Sequence, residues 1–537
     1  MRRYISWQIV SIGTSALIFF PLLTLAWLSF SADSALWTHL VDTVLRDYIV
    51  SSLILMIGVG LVTLTLGIGS AYIVTQFDFA GVRFFNWALL LPLAMPAYIT
   101  AYAYTGILDV AGPAQVFIRD SFGVQYGDYW FPEIRSIGGA IFVLSFVLYP
   151  YVYLLARASF LEQSQRLPEV AQLLGCNRRQ AFFKITLPIA RPAIVAGLSL
   201  ALMETLADFG TVSYFGINTF TTGIYRTWNG FGSVANAAQL ALMLLTFVVI
   251  LLAIEKSSNK RAAYHTNASS AQGKAEKLTG SRQLFAIGLV STPLLLGFVV
   301  PTATLFSWAI GNAQQLTQAS FWKLITNTLI LASVTAILAV SLALIVAYSY
   351  RISQSKISLV AKQIVGLGYA VPGLIIAVGT LIPLAYLDNA IDGAMSRYFG
   401  LSTGLVLSGS LIALIIAYLV RFLAVALKSV DSGLDRIAKN MDQAARSLGA
   451  SPVKVLKRVH LPILRSSVLT GILIVFVDVM KELPATLVLR PINFNTLAVR
   501  AYEMASDERL SDAALPSIMI VLAGLLPVIL LSRKIKQ

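Results

Sequence analysis

Four carboxylates lie inside otherwise apolar stretches of this chain: Glu204 and Asp208 in one, Asp478 and Glu482 in another. A charge at the centre of a bilayer costs roughly 2.5–3.5 kcal/mol on insertion scales, so acids in such places need partners or a wet cavity. Within each pair the acids are four residues apart, which puts both on one face of a helix. The pairs are also related to each other, because 274 residues separate Glu204 from Asp478 and Asp208 from Glu482. Faces of this kind can present oxygen ligands to a hard cation. The same residues also fit a buried ion-pair network, with Lys481 set between Asp478 and Glu482 on the helix surface. Tyr98, Tyr102 and Tyr104 could add phenolic oxygens, although tyrosines near the end of a span more often form an interfacial belt.

Other chemistries find no support. Cys176 is the single cysteine, which excludes an intrachain disulfide and a thiolate cluster for zinc or iron–sulfur. His39, His265 and His460 are too scattered to give a helix-spaced metal pair. No stretch matches the phosphate-binding pattern G-x-x-x-x-G-K-[ST], so no ATPase is evident in the chain. Gly400-Leu401-Ser402-Thr403-Gly404 matches G-x-S-x-G, but that nucleophile needs a strand-turn-helix in a sheet. Here it precedes an apolar helix.

The elements that carry the acids are set by composition. Of 537 residues 57% are hydrophobic and 12% charged, about half the charge of an ordinary soluble protein, which carries roughly 25%. Too few charges remain to clothe several water-facing domains, and the chain reads as a polytopic membrane protein. Apolar runs of about 20 residues, the length that spans a bilayer, occur near 7–30, 49–75, 84–108, 137–155, 192–214 and 235–254. Six more follow near 283–310, 325–349, 359–387, 403–427, 466–489 and 513–532. The first follows Arg2 and Arg3 like a signal peptide, but its apolar run exceeds a typical signal core and reads as a retained helix. The net charge of +15 excludes a nucleic-acid face, because it is not clustered on one solvated surface. With both termini cytoplasmic, roughly thirty of the 40 Lys and Arg face the cytosol, which is the bias that sets orientation.

The twelve spans fall into two sets of six. Gly175, Leu187-Pro188, Arg191, Phe220, Thr222 and Arg226 recur 274 residues on as Gly449, Leu461-Pro462, Arg465, Phe494, Thr496 and Arg500. Leu53, Ala71-Tyr72 and Pro96 recur 276 residues on as Leu329, Ala347-Tyr348 and Pro372. Six is even, so both copies have one orientation, a parallel repeat with its pathway between the halves. The expected fold is all-α: about 12 transmembrane helices in two parallel six-helix repeats. Residues 1–254 form the first half, 255–282 a polar cytosolic linker and 283–537 the second half.

The largest loops expected on the cytosolic side, 156–190 and 428–465, carry the most specific signal. The first reads Glu169-Val170-Ala171-Gln172-Leu173-Leu174-Gly175, and the second Gln443-Ala444-Ala445-Arg446-Ser447-Leu448-Gly449. Each is followed by Leu-Pro, at 187–188 and 461–462. Each suggests a short helix, a turn at glycine, a second helix and a proline opening the next span. Here the chain resembles permease subunits of ATP-binding-cassette importers, whose signature is E-A-A-x-x-x-G with a later L-P. The resemblance implies a type I importer fold in which these loops are coupling helices docked on a separate ATPase. Glu169, Ala171, Gly175, Gln443, Ala445 and Gly449 would make the coupling contacts. Val170 and Gln443 depart from the signature, and Asp442 is a candidate to replace the missing acid of the second copy. The bland reading of both loops is an amphipathic segment on anionic lipid.

Two halves in one chain narrow the resemblance further. The segments 204–210 with 220–228, and 478–486 with 501–503 and 505–508, are similar to the fused permeases of ferric-iron importers. That similarity implies Fe³⁺ as the transported substrate, delivered by a periplasmic iron-binding protein. It also implies ATP hydrolysis on two copies of a cytosolic ATPase, no catalytic residue or bound cofactor in this chain, and a bacterial inner-membrane location. The acids Glu204, Asp208, Asp478 and Glu482 would then line the substrate pathway. Related fused permeases carry thiamine, which stays open, as does a 6+6 secondary transporter working without an ATPase.

Overall fold

The computed structural model describes residues 5–163, 177–260 and 276–535. Eleven of its helices are long and apolar enough to cross a bilayer, and a pair bent by 92° over residues 82–122 makes a twelfth. In chain order the helices that matter below are α1 (Ile5–Ser29), α2 (Leu45–Gln76), α3 (Val82–Ala88), α4 (Ala97–Leu108), α5 (Ile137–Glu162) and α6 (Leu187–Ala207). Next come α7 (Gly210–Tyr214), α8 (Val234–Lys260), α9 (Ser281–Leu294), α10 (Val300–Gly311), α11 (Ala319–Ser353) and α12 (Lys356–Leu367). The rest are α13 (Gly373–Phe399), α14 (Leu411–Leu434), α15 (Lys439–Ser447), α16 (Leu461–Met480), α17 (Pro484–Leu489) and α18 (Leu510–Ile535). A two-residue parallel pair, Phe77–Asp78 with Glu276–Lys277, is the extended structure among the described residues.

Several boundaries follow from single residues. Pro96 and Pro372 each cap the helix that follows, in extended conformation at ψ 140° and 139°. A proline has no N–H to continue a helix and holds the residue before it out of the helical region. Both third spans of the repeat are therefore broken, and α13 runs on to Phe399, past the expected end at 387. Ser136, Ser355 and Ser410 start α5, α12 and α14 by accepting backbone N–H bonds on their side chains, the usual N-cap device.

The chain forms two compact units that cut across the sequence repeat. One comprises Met1–Val41, Gly223–Met243 and Ala313–Glu503; the other comprises Asp42–Thr222, Leu244–Asn312 and Met504–Gln537. In the first unit α1 packs on α11, α12 and α13, all from the second half of the sequence. The approach is close at Gly379, where a Cβ would stand 2.5 Å from the carbonyl oxygen of Pro21. The remaining core of this unit is the triangle of α11, α14 and α16. In the second unit α2, α5 and α6 make the equivalent triangle, with Gly197 so near α5 that a Cβ would meet the Tyr151 carbonyl at 2.8 Å. Here α10 packs on α18 and α4, so spans from the second half complete a core built from the first.

Candidate functional site

Two of the four intramembrane acids, Asp208 and Glu482, sit at breaks in their spans. In the first copy α6 stops at Ala207, and Asp208 leaves the helical region with ψ 130°. Its carboxylate accepts from the backbone N–H of Thr211 and of Val212, both at 3.1 Å, and from the Thr211 hydroxyl at 3.0 Å. Asp208 thus caps α7. In the second copy α16 stops at Met480, and α17 begins at Pro484. Glu482 accepts from the N–H of Ala485 at 2.9 Å, the N–H of Thr486 at 3.1 Å and the Thr486 hydroxyl at 2.7 Å. The two acids, matched by the 274-residue displacement, take N–H groups three and four residues ahead in the same way. A bilayer core supplies no water for the free N–H groups of a helix start, so an acid at each break satisfies them and favours the positive end of the helix dipole.

The second copy adds charge compensation. Arg421, midway along α14, places Nη1 3.5 Å from Glu482 Oε1, and both side chains are buried, at 11% and 2% exposed. Gly373 closes this site, since a Cβ there would stand 2.5 Å from Arg421 Nη1 and 2.7 Å from Glu482 Oε1. Tyr418, fully buried one turn before, hydrogen-bonds with the Thr486 hydroxyl. Asp478 pairs with Lys481 at 2.9 Å. The expected ion-pair neighbour is therefore on Asp478, while Glu482 is held by Arg421, an arginine inside the expected span 403–427. Position 147, equivalent to Arg421 in the first copy, is Val147. Glu204 lies half-buried on α6, one turn before Asp208.

The tyrosines are interior rather than interfacial. Tyr98, Tyr102 and Tyr104 are buried, at 6%, 1% and 4% exposed. Tyr104 donates to the Leu296 carbonyl at 2.6 Å, and Tyr102 stacks edge-on against Tyr214 with ring centres 4.7 Å apart. Beyond them Arg135 joins three groups. It pairs with Glu508 at 2.6 Å and with Asp109 at 3.3 Å, and its guanidinium lies 5.1 Å from the Tyr214 ring centre. No sequence pattern marks this clasp, because its members come from loops 373 residues apart.

Of the residues expected to make coupling contacts, Glu169, Ala171 and Gly175 lie outside the described residues. The second loop is described in full. Gln443 is exposed and Ala445 half-buried on α15, and Gly449 follows with φ +75°, a left-handed turn that glycine adopts without a Cβ penalty. Leu448 at the end of α15 is 88% exposed, and Met441 is 41% exposed. Asp442 is turned inward and holds Arg351 and His460, so it is not presented outward in place of the missing acid. Ser402, the serine of the G-x-S-x-G match, lies in the loop after α13 and donates to Asp392 on that helix.

A duplicated bundle whose fifth and eleventh spans break at acid caps, with an exposed amphipathic helix before the eleventh, fits a multi-pass membrane transport protein. The family model for the inner membrane component of binding-protein-dependent transport systems matches residues 63–263 and again 353–534. The chain belongs to that family. It is 25% identical over 494 residues to the Fe(3+)-transport system permease protein FbpB 2 of Haemophilus influenzae, covering 91% of this chain and 90% of that protein. The ferric transport system permease protein FbpB of Actinobacillus pleuropneumoniae is 23% identical over 84% of this chain and 65% of its own length. The molybdenum transport system permease protein ModB of Escherichia coli K12 is 26% identical over 36% of this chain and 85% of its own length.

Proposed function

We propose that this chain is the membrane permease of an importer that moves ferric iron from a periplasmic binding protein into the cytoplasm. Two cytosolic ATPase subunits would drive it, one on each coupling loop, with both chain termini cytoplasmic. The observation that carries the iron assignment is similarity to ferric permeases over nine-tenths of this chain and of the Haemophilus protein. The coupling assignment is supported by α15, whose exposed Gln443 and 88% exposed Leu448 leave an unfilled contact face beside a glycine turn.

Within the pathway the acids divide into two roles. Asp208 and Glu482 fix the breaks of the fifth and eleventh spans through their cap bonds. Glu204 and Asp478, one turn earlier, are the carboxylates that meet the passing cation. A hard trivalent ion prefers such oxygen donors, and Lys481 beside Asp478 weakens the second site relative to the first. Alternating access would follow from ATP closure on one side and binding-protein docking on the other.

The deciding measurement is ATP hydrolysis by the reconstituted complex with its own binding protein, loaded in turn with Fe³⁺ and with thiamine. Stimulation by the iron-loaded protein supports the assignment. Stimulation by thiamine alone replaces the substrate, and transport without an ATPase partner replaces the mechanism with a secondary one.

A further inference from the structure

The second coupling loop is tied to the spans by buried charge. Asp442 on α15 meets His460 Nε2 through Oδ1 at 2.5 Å and accepts from Arg351 Nε through Oδ2 at 2.8 Å. His460 is fully buried, and the side chains of Arg351 and Asp442 are 11% and 14% exposed. The other two nitrogens of Arg351 donate to the carbonyls of Leu434 at 2.6 Å and Ile437 at 2.8 Å, just where α14 ends. Tyr348 stands edge-on to His460, with ring centres 5.3 Å apart, and donates to the Pro452 carbonyl at 2.8 Å. One carboxylate therefore joins the coupling helix to α11, and to the turn at 456–460 that opens α16. The same arginine joins both to the end of α14.

The first copy is built otherwise. At the repeat displacements Arg351, Asp442 and His460 fall on Thr75, Pro168 and Thr186, none of which is charged. Thr75 turns its hydroxyl back to the Ala71 carbonyl of its own helix. Tyr72, the counterpart of Tyr348, packs edge-on against Phe182 at 4.6 Å, with Phe77 and Phe160 around it. Aromatic contacts of this kind accept small slides at low cost. Short bonds between buried charged groups are directional, and breaking one strands an uncompensated charge.

From these bonds we infer that Arg351, Asp442 and His460 are positioning residues that carry movement of the second coupling helix rigidly into α11, α14 and α16. The inference rests on the proposed ATP-driven function. The equivalent positions of the first copy carry no charged residue, so this charged link belongs to the second half.

The test uses the complete complex of permease, ATPase and binding protein in lipid nanodiscs, with D442N, R351Q, the double variant D442N/R351Q, and Y72L in the first copy. D442N and R351Q should each keep the ATPase subunits and a basal hydrolysis within about twofold of wild type. Each should lose binding-protein-stimulated hydrolysis by about tenfold, and the double variant should lose no more, because the residues act as one unit. Y72L should stay within about threefold. Should D442N not assemble, H460Q and H460A replace it; the glutamine keeps a donor towards Asp442, so it should retain stimulation where alanine loses it. Unchanged stimulation in D442N and R351Q, or losses that add in the double variant, would overturn the inference. So would release of the ATPase from a folded D442N permease, which would make Asp442 a docking contact. A wild-type chain that never engages an ATPase refutes the proposed function instead, and that result is distinct from any of these.

Discussion

Replacing Arg421 by leucine removes one partner of the buried pair with Glu482, and the cost can be worked from the geometry. At a separation of 3.5 Å and an effective dielectric near 20, the gross attraction is roughly 5 kcal/mol. Desolvation of the guanidinium offsets part of that gain. In the variant Glu482 keeps its three bonds from Ala485 and Thr486, which continue to stabilise its charge. The loss should therefore fall at the low end of the range for breaking a buried pair, about 3 kcal/mol. The double variant R421L/E482Q has no charge at this site, but its single amide oxygen can accept from only one of the two α17 N–H groups that the two carboxylate oxygens hold. It should be at least as stable as R421L alone, with a recovery of up to about 1.5 kcal/mol. Detergent-denaturant titration of the purified chain in mixed micelles, followed by helicity, measures both quantities. An R421L loss below about 0.5 kcal/mol, or a double variant less stable than R421L, would refute the reasoning that Arg421 is present to compensate Glu482.

Glu204→Gln should reduce iron uptake by about tenfold or more while the ATPase still co-purifies; uptake at the wild-type rate would remove Glu204 from the pathway. Gly373→Ala should destabilise by about 1–3 kcal/mol because its Cβ would enter the Arg421–Glu482 contact, whereas Gly13→Ala, with nothing within 4 Å, should be neutral or slightly stabilising in the same titration. Arg135 holds the Glu508 carboxyl below its usual range, chiefly through their hydrogen bond. A carboxyl depressed in the folded state contributes stability above its unfolded pKa and loses it as pH falls through the folded value. The clasp is half-exposed, so its contribution should stay under about 1 kcal/mol. That increment should vanish in acid for the wild type, and E508Q should show no such dependence.

Much of this architecture was legible in the sequence because a bilayer leaves the backbone few choices. Apolar length marked the spans, and the recurrence of Pro96 as Pro372 marked equivalent positions, at which the structure breaks both third spans. The acids were harder. Their i, i+4 spacing reads as a shared face if the helix continues, yet the chain turns at Asp208 and again between Lys481 and Leu483. A usable signal was present: Pro484 two residues after Glu482 is a helix-opening proline, and Asp208 stands three residues before Thr211, at cap spacing. Arg421 escaped because nothing local in the 403–427 stretch says which acid of another span its guanidinium meets. Asp442 looked like a spare acid for a partner because sequence does not say which way a side chain on a short amphipathic helix turns. The Arg135 clasp joins loops with no local pattern, so only folding brings it together.

The packing of α1 on α11, α12 and α13 has a consequence for biogenesis. The helix ends at Ser29, and its partners begin at Ala319, some 290 residues later. At about 5–20 residues per second, the first span waits roughly 15–60 s in the membrane before its neighbours are synthesised. Through that interval its apolar flanks are covered by lipid or insertion machinery rather than by protein. The unit containing α1 is therefore completed late in translation, from distant parts of one message. Joining the halves in a single polypeptide makes that late partner available at a fixed one-to-one ratio, in the same patch of membrane.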